Sequence, residues 1–196
     1  MSKRSYHHGD VRQAALDAVL EMLDGGEAGS LSLRTISQRI GVSHHALYRH
    51  FDNLEDLLGE VVSGCLEHLI ALLRQAIEQG DDLEHRVLLG CVAYLKHALD
   101  HPARYELMFA PSTPMASHQK AWQAGETSFG VLIALAVEAG ASEPALLAFQ
   151  VWTTMHGTVE LLKHVALPAG LGDKRSALLS QTVAACTHTF LRVANA

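Results

Sequence analysis

Aromatic side chains make up only 6% of the 196 residues, and runs of alternating β-branched residues are missing. Ala, Leu, Glu and Gln dominate instead, so the composition points to an all-α protein. Long apolar runs are missing too. The longest clean one, Val131 to Val137, is far too short to cross a bilayer, and the N-terminus lacks the hydrophobic core of a signal peptide. A cytoplasmic protein with no membrane partner is the expectation. Cysteine is scarce and odd in number. Cys65, Cys91 and Cys186 are widely spaced, form no CxxC pair and sit within helical apolar patterns, which reads as buried reduced thiols rather than a redox centre.

Catalytic signatures are absent as well. There is no Gly-x-Ser-x-Gly elbow, no His-Glu-x-x-His pair, no Gly-rich phosphate loop with its Lys, and no dinucleotide fingerprint. No enzyme and no cofactor are expected. Neither an internal repeat nor a low-complexity tract occurs, and 48% hydrophobic content is enough to bury a sizeable core. The net charge of −6 is unevenly spread. Residues 1–50 hold six Lys or Arg against five acids, with five His in addition, and the remainder holds nine against sixteen, so a head of +1 is attached to a body of −7. Such a body repels a polyanion while the head approaches it.

What is present centres on Leu31 to Phe51. Two short helical patterns meet at Gly41, a residue able to take the positive φ that ends one helix, and Ser43 is placed to cap the next. Leu33, Ile36 and Ile40 give the first helix one apolar stripe, and Leu47 and Phe51, four apart, do the same for the second. The remaining faces carry Arg34, Thr35, Gln38, Arg39, Ser43, His44, His45, Tyr48, Arg49 and His50, rich in donors and without an acid. A helix entering a major groove needs base readers near its N-terminal end and phosphate donors beside them. His44 and His45 are the expected base-edge contacts, Arg34 and Thr35 the groove-edge contacts, and Ser43, Tyr48 and His50 the phosphate contacts.

The string Gly-Val-Ser-His-His-Ala-Leu-Tyr-Arg-His-Phe at residues 41–51, followed by Glu55 and Leu57-Leu58, resembles the core signature of the TetR family of transcriptional regulators. One position departs from that pattern: Leu54 stands where the family usually has a Lys, which puts a phosphate contact at the start of the fourth helix in doubt. The upstream Lys3, Arg4, Tyr6, His7 and His8 form a basic arm, and the string Tyr-His-His-Gly-Asp is similar to one seen at this place in TetR-like sequences. The arm is expected either to touch phosphates or a minor groove or to be a disordered tail.

Helical periodicity continues along the chain. A first helix is expected from Asp10, with Gln13 as its capping-box partner, to the Gly25-Gly26 stop, and a long fourth helix from the cap Asn53 to Gly80. Further helices are expected over residues 82–100, 103–109, 118–139, 143–165 and 173–193, with Pro111 and Pro114 in a loop. About nine helices then divide into a three-helix helix-turn-helix domain at 1–55 and an effector-binding and dimerisation domain at 56–196, the architecture that the resemblance implies. The fourth helix enters both, so its shift is the expected route by which a ligand changes the spacing of two heads.

In the body, Trp152-Thr-Thr-Met-His156-Gly157 resembles the Trp/His/Gly signature of one C-terminal subclass of TetR-like proteins. Residues of mixed polar and apolar character make a candidate effector pocket: Tyr94, His97, Tyr105, Met108, Phe109, Met115, Trp122, Phe129, Phe149, Trp152, Met155 and His156. His156, Glu160 and His164 follow at i+4 steps; this row spans two turns and is weak evidence for metal, so no metal site is assigned. Leu146, Phe149, Val151, Val159, Leu161 and Leu162, with Leu178, Leu179, Val183, Cys186, Phe190 and Leu191, offer more apolar surface than one covering layer needs, and the resemblance implies a homodimer through these two helices. The expected function is a dimeric repressor that binds a palindromic double-stranded DNA operator and is released by a small-molecule effector. The rival is a ligand or metal sensor or interaction protein with weak or no DNA binding.

Overall fold

The computed structural model describes residues 11–109, 117–168 and 170–194, and among these it contains nine α-helices and no strand. They are α1 (Val11–Asp24), α2 (Leu33–Arg39), α3 (His44–Tyr48), α4 (Leu54–Ile77), α5 (Leu83–Asp100), α6 (Pro102–Phe109), α7 (Gln119–Glu138), α8 (Pro144–His164) and α9 (Arg175–Ala194). The all-α expectation holds. Asp10, the basic arm, Pro111, Pro114 and Met115 lie outside the described residues.

Local chemistry accounts for most helix ends. Beyond α1, Gly26 takes a φ of 75°, a left-handed conformation open to a residue without Cβ. Ser32 and Thr35 form a capping box: the Thr35 N–H donates to Ser32 Oγ at 3.1 Å and the Ser32 N–H to Thr35 Oγ1 at 3.0 Å. The side chains of Asn53 and Asp82 each accept a backbone N–H at 2.8 Å, from Asp56 and His85, at the starts of α4 and α5. Pro144 occupies the first turn of α8, where a missing N–H costs nothing.

Gln13 donates along α1 to Asp17 Oδ1 at 2.9 Å, and its expected capping partner Asp10 lies outside the described residues. One segment differs from the sequence expectation. The helix expected to carry Phe51 ends at Tyr48, because the His50 and Phe51 N–H groups both turn back onto the Leu47 carbonyl, at 2.9 and 3.0 Å, before the chain enters α4. Phe51 is still fully buried, so the apolar pair of the pattern survives the shortening.

The chain divides into two compact units, Met1–Cys65 with Ala103–Trp122, and Leu66–Pro102 with Gln123–Ala196. In the first, α1, α2 and α3 pack on one another around Ala15, Val19, Met22, Ile36, Leu47 and Phe51, and Tyr105 and Met108 of α6 are equally buried. Each Val, Leu, Ile, Phe or Met among them contributes about 1.5–3 kcal/mol when removed from water. Arg104 clasps the Asp24 carboxylate, Arg12 pairs with Glu60, and Gly59 leaves room for His118, whose Cγ would lie 2.3 Å from any added Cβ.

In the second unit α5, α8 and α9 pack mutually, burying Val87, Cys91, Tyr94, Leu147, Val151, Met155, Val159, Cys186 and Phe190. Arg86 Nη1 meets Glu138 Oε1 at 2.6 Å, and the Thr158 and Thr182 hydroxyls meet at 3.1 Å between α8 and α9. Gly90 brings α5 to within 3.2 Å of Ile77 Cγ1 on α4, measured from the Cβ it lacks.

Candidate nucleic-acid interface

The helix-turn-helix is built by short-range rules. The Ser32–Thr35 box starts α2, Gly41 at φ 71° turns the chain, and Ser43 Oγ accepts the Ala46 N–H at 3.2 Å to start α3. Leu33, Ile36, Ile40, Leu47 and Phe51 point inward and are buried, which leaves the opposite face of α3 in water. Ser43, His44, His45, Tyr48, Arg49 and His50 are all exposed there, and Arg34 is exposed on α2. Tyr48, 48% exposed, stands edge-on to the His44 ring with centroids 4.8 Å apart.

Two donors of this surface are engaged within the protein. The Thr35 hydroxyl, besides its capping role, donates to the Ser30 carbonyl at 2.7 Å, so it secures the start of α2. Arg39 Nη2 reaches both Glu27 carboxylate oxygens, at 2.8 and 2.7 Å. Glu27 lies in the preceding turn, and nothing in the helical periodicity marks it as the partner of Arg39.

The residues expected to form one effector pocket are spread over both units. Tyr105, Met108, Phe109 and Trp122 belong to the first; Tyr94, His97, Phe129, Phe149, Trp152, Met155 and His156 belong to the second. In the second, Trp152 Nε1 donates to the Tyr94 hydroxyl at 3.1 Å, and Phe129, Phe149 and His156 surround the Trp152 ring at centroid distances of 6.1, 5.8 and 5.5 Å. Burial lowers the His156 pKa against the opposing pull of Glu160. His97 is buried between the rings of His68 and His101, at 5.7 and 5.4 Å.

Two concave spaces of ligand size lie elsewhere in this unit. A groove of about 710 Å³ between α5 and α9 is walled by Leu88, Val92, Leu95, Leu99, Leu179, Val183 and Leu191. A second, of about 560 Å³, is bordered by Arg74, Glu78, Arg86 and Glu138 around Ile77, Val131 and Leu135. Neither is lined by the aromatic and Met residues that the sequence pattern suggests.

Among the described residues no three His, Cys, Asp or Glu side chains converge as metal ligands. Glu160 turns to His164, with 3.4 Å between Oε2 and Nε2, while His156 stacks on Trp152. All three cysteines are free and buried. Spacing alone does not reveal that two of them are neighbours: the Cys186 thiol, together with burial, pushes the Cys91 thiol pKa up, and Cys186 Sγ itself lies 3.9 Å from the Val151 carbonyl. No described helix is long and apolar enough to cross a membrane. On α8, Leu146, Phe149 and Leu161 are exposed, as is Val165 just past its end, whereas Val151 and Val159 are internal.

Comparison with known proteins bears on both parts of the chain. Residues 15–61 match the family described as bacterial regulatory proteins, tetR family, and residues 86–186 match the family described as tetracyclin repressor-like, C-terminal domain. The HTH-type transcriptional regulator Rv0681 of Mycobacterium tuberculosis is 24% identical over 153 residues, spanning 76% of this chain and 69% of that protein. The nucleoid occlusion factor SlmA of Vibrio vulnificus is 26% identical over 98 residues, half of each chain. A solved structure from Rhodococcus sp. RHA1, of unknown function, superposes with a TM-score of 0.76 at 25% identity, covering 97% of this chain and 98% of its own. With its helix-turn-helix and most of its C-terminal half both matched, the chain belongs to the TetR family of transcriptional regulators.

Proposed function

We propose that the protein is a cytoplasmic, homodimeric repressor that binds a palindromic operator through α3 and is released by a small-molecule effector. Residues 1–55 serve as the DNA-binding domain in this reading and 56–196 as the effector-binding and dimerisation domain. One observation carries it: α3 is capped at Ser43, anchored by buried Leu47 and Phe51, and presents donor-bearing side chains and no acid outward. His44 and His45 read base edges, Arg34 and Thr35 lie at the groove edge, and Ser43, Tyr48 and His50 hold phosphates. A good bidentate base contact is worth about 1–3 kcal/mol of discrimination, whereas a phosphate contact fixes register and carries no sequence information. No catalytic step enters the reading. The effector is assigned to the second unit, where Tyr94, Trp152 and His156 combine apolar faces with polar points.

Gel shifts with DNA taken from upstream of the protein's own gene test the division of roles. His45→Ala is expected to relax sequence preference. Tyr48→Phe is expected to weaken binding to all sequences about equally, and the opposite pattern would refute the assignment.

Two observations favour the second reading, a sensor or interaction protein with weak or no DNA binding. Leu54 replaces a family Lys, and Arg39, a potential phosphate donor, is held by Glu27. A salt-dependent shift with that same upstream DNA separates the two readings, since counterion release accompanies phosphate contacts.

A further inference from the structure

Taking α3 as the DNA-reading helix, we infer that duplex binding by this protein is coupled to proton uptake: His44, His45 and His50, once protonated, supply most of the positive charge of the reading surface, so acidification tightens the complex. Residues 32–51 contain three arginines and no acid. Arg39 is clasped by both oxygens of Glu27, so its charge is already answered inside the protein. Arg34 and Arg49 remain to face the duplex, beside three exposed imidazoles. Full protonation therefore raises the outward charge from two to five.

A neutral imidazole offers a phosphate one N–H and turns a lone pair towards the other oxygens. An imidazolium offers two donors and a charge, and charge-assisted bonds are roughly twice as strong. Histidine is the side chain whose ordinary titration falls between pH 5 and 8. A polyanion favours the charged form, so by linkage the duplex draws in protons and protons draw in the duplex.

The neighbouring charges leave this coupling to the DNA. α3 packs on α1 and α2. Glu27 is held by Arg39, Asp24 by Arg104, and Arg12 by Glu60, while Asp17 accepts from Gln13. Past α3, Asp56 accepts the Asp52 N–H and lies 3.6 Å from His118, and Ser117 donates to Glu55. Exposed Glu21 on α1 and Asp52 in the turn after α3 are the other acids of these described segments. Most of these carboxylates are thus satisfied by other groups, and the reading face itself carries none.

The test uses the full-length protein and a fluorescein-labelled, mixed-sequence duplex three helical turns long, titrated by anisotropy at constant ionic strength from pH 8 to pH 6. Each imidazole whose pKa the duplex raises by one unit contributes up to about tenfold. The affinity is expected to rise at least about tenfold across this range. At pH 6 the plot of log K against log salt should also steepen by about 0.9 for each further phosphate neutralised. His44→Gln, His45→Gln and His50→Gln keep an amide donor and cannot titrate; each is expected to lose part of the response, and the triple variant nearly all of it, with folding checked by far-UV circular dichroism at both pH values. Equal affinity at pH 6 and pH 8 overturns the inference while leaving the DNA-binding reading intact. A full response surviving in the three single variants, as it would if His7 and His8 carried it, overturns it as well. Absence of binding at either pH overturns both the inference and the reading beneath it.

Discussion

Cys65 is 6% exposed on α4, and burial pushes its thiol from 9.0 up to about 11 despite the nearby Arg104 guanidinium. Between those values the unfolded chain releases the proton and the folded chain keeps it. The stability tied to this group is therefore complete below pH 9 and lost as pH climbs towards 11. At about 1.4 kcal/mol per pH unit the loss is on the order of 2–3 kcal/mol. Urea denaturation at pH 9 and pH 11 should show the native sequence losing about that much more than Cys65→Ala; equal alkaline losses would contradict it. Burial of Cys65 is legible in the sequence, because the thiol falls on the apolar stripe that runs through Val61, Val62, Leu66 and Leu69. The meeting of Cys91 with Cys186 is not, since helical spacing relates a residue to its own helix and these thiols belong to α5 and α9.

The elements that present the reading face owe their ends to single side chains and single dihedral angles. Ser32 is the first half of a capping box, so Ser32→Ala leaves the Thr35 N–H at the start of α2 without that partner and should cost about 1 kcal/mol. Gly41 tests a different term. A Cβ there would meet nothing within 4 Å, so Gly41→Ala carries no clash and is penalised only for its φ of 71°, by about 1–2 kcal/mol. Chemical denaturation followed by circular dichroism measures both. An unchanged midpoint for Gly41→Ala would mean that the turn relaxes to a negative φ. The sequence places these elements well because caps, glycine turns and apolar periodicity act over a few residues. It overruns α3 by a few residues because Phe51 keeps the helical spacing, while the Leu47 carbonyl collects two N–H groups and the helix closes early.

For the whole molecule, the exposed apolar side chains of α8 bear on assembly. Phe149 is 50% exposed, with Leu146 and Leu161 similarly open, and the apolar pattern of the sequence marks all three as dimer surface. If α8 and α9 form the twofold interface proposed above, Phe149→Asp buries an unpaired charge there and should yield a folded monomer by sedimentation, with much weaker operator binding. A persistent dimer would move the interface to another face. Half exposure within the chain makes loss of the fold itself an unexpected result of this substitution.

The sequence by itself determined that the chain is helical, where each long helix runs, and which short segment resembles a DNA-reading head. All of these follow from side chains acting within one or two turns of the backbone. Only the tertiary structure decided that Glu27 neutralises Arg39, that Cys91 and Cys186 are neighbours, and that the expected pocket residues divide between two packed units while an aliphatic groove opens between α5 and α9. Those outcomes depend on side chains brought together from segments distant in the chain, and neither composition nor periodicity carries that distance.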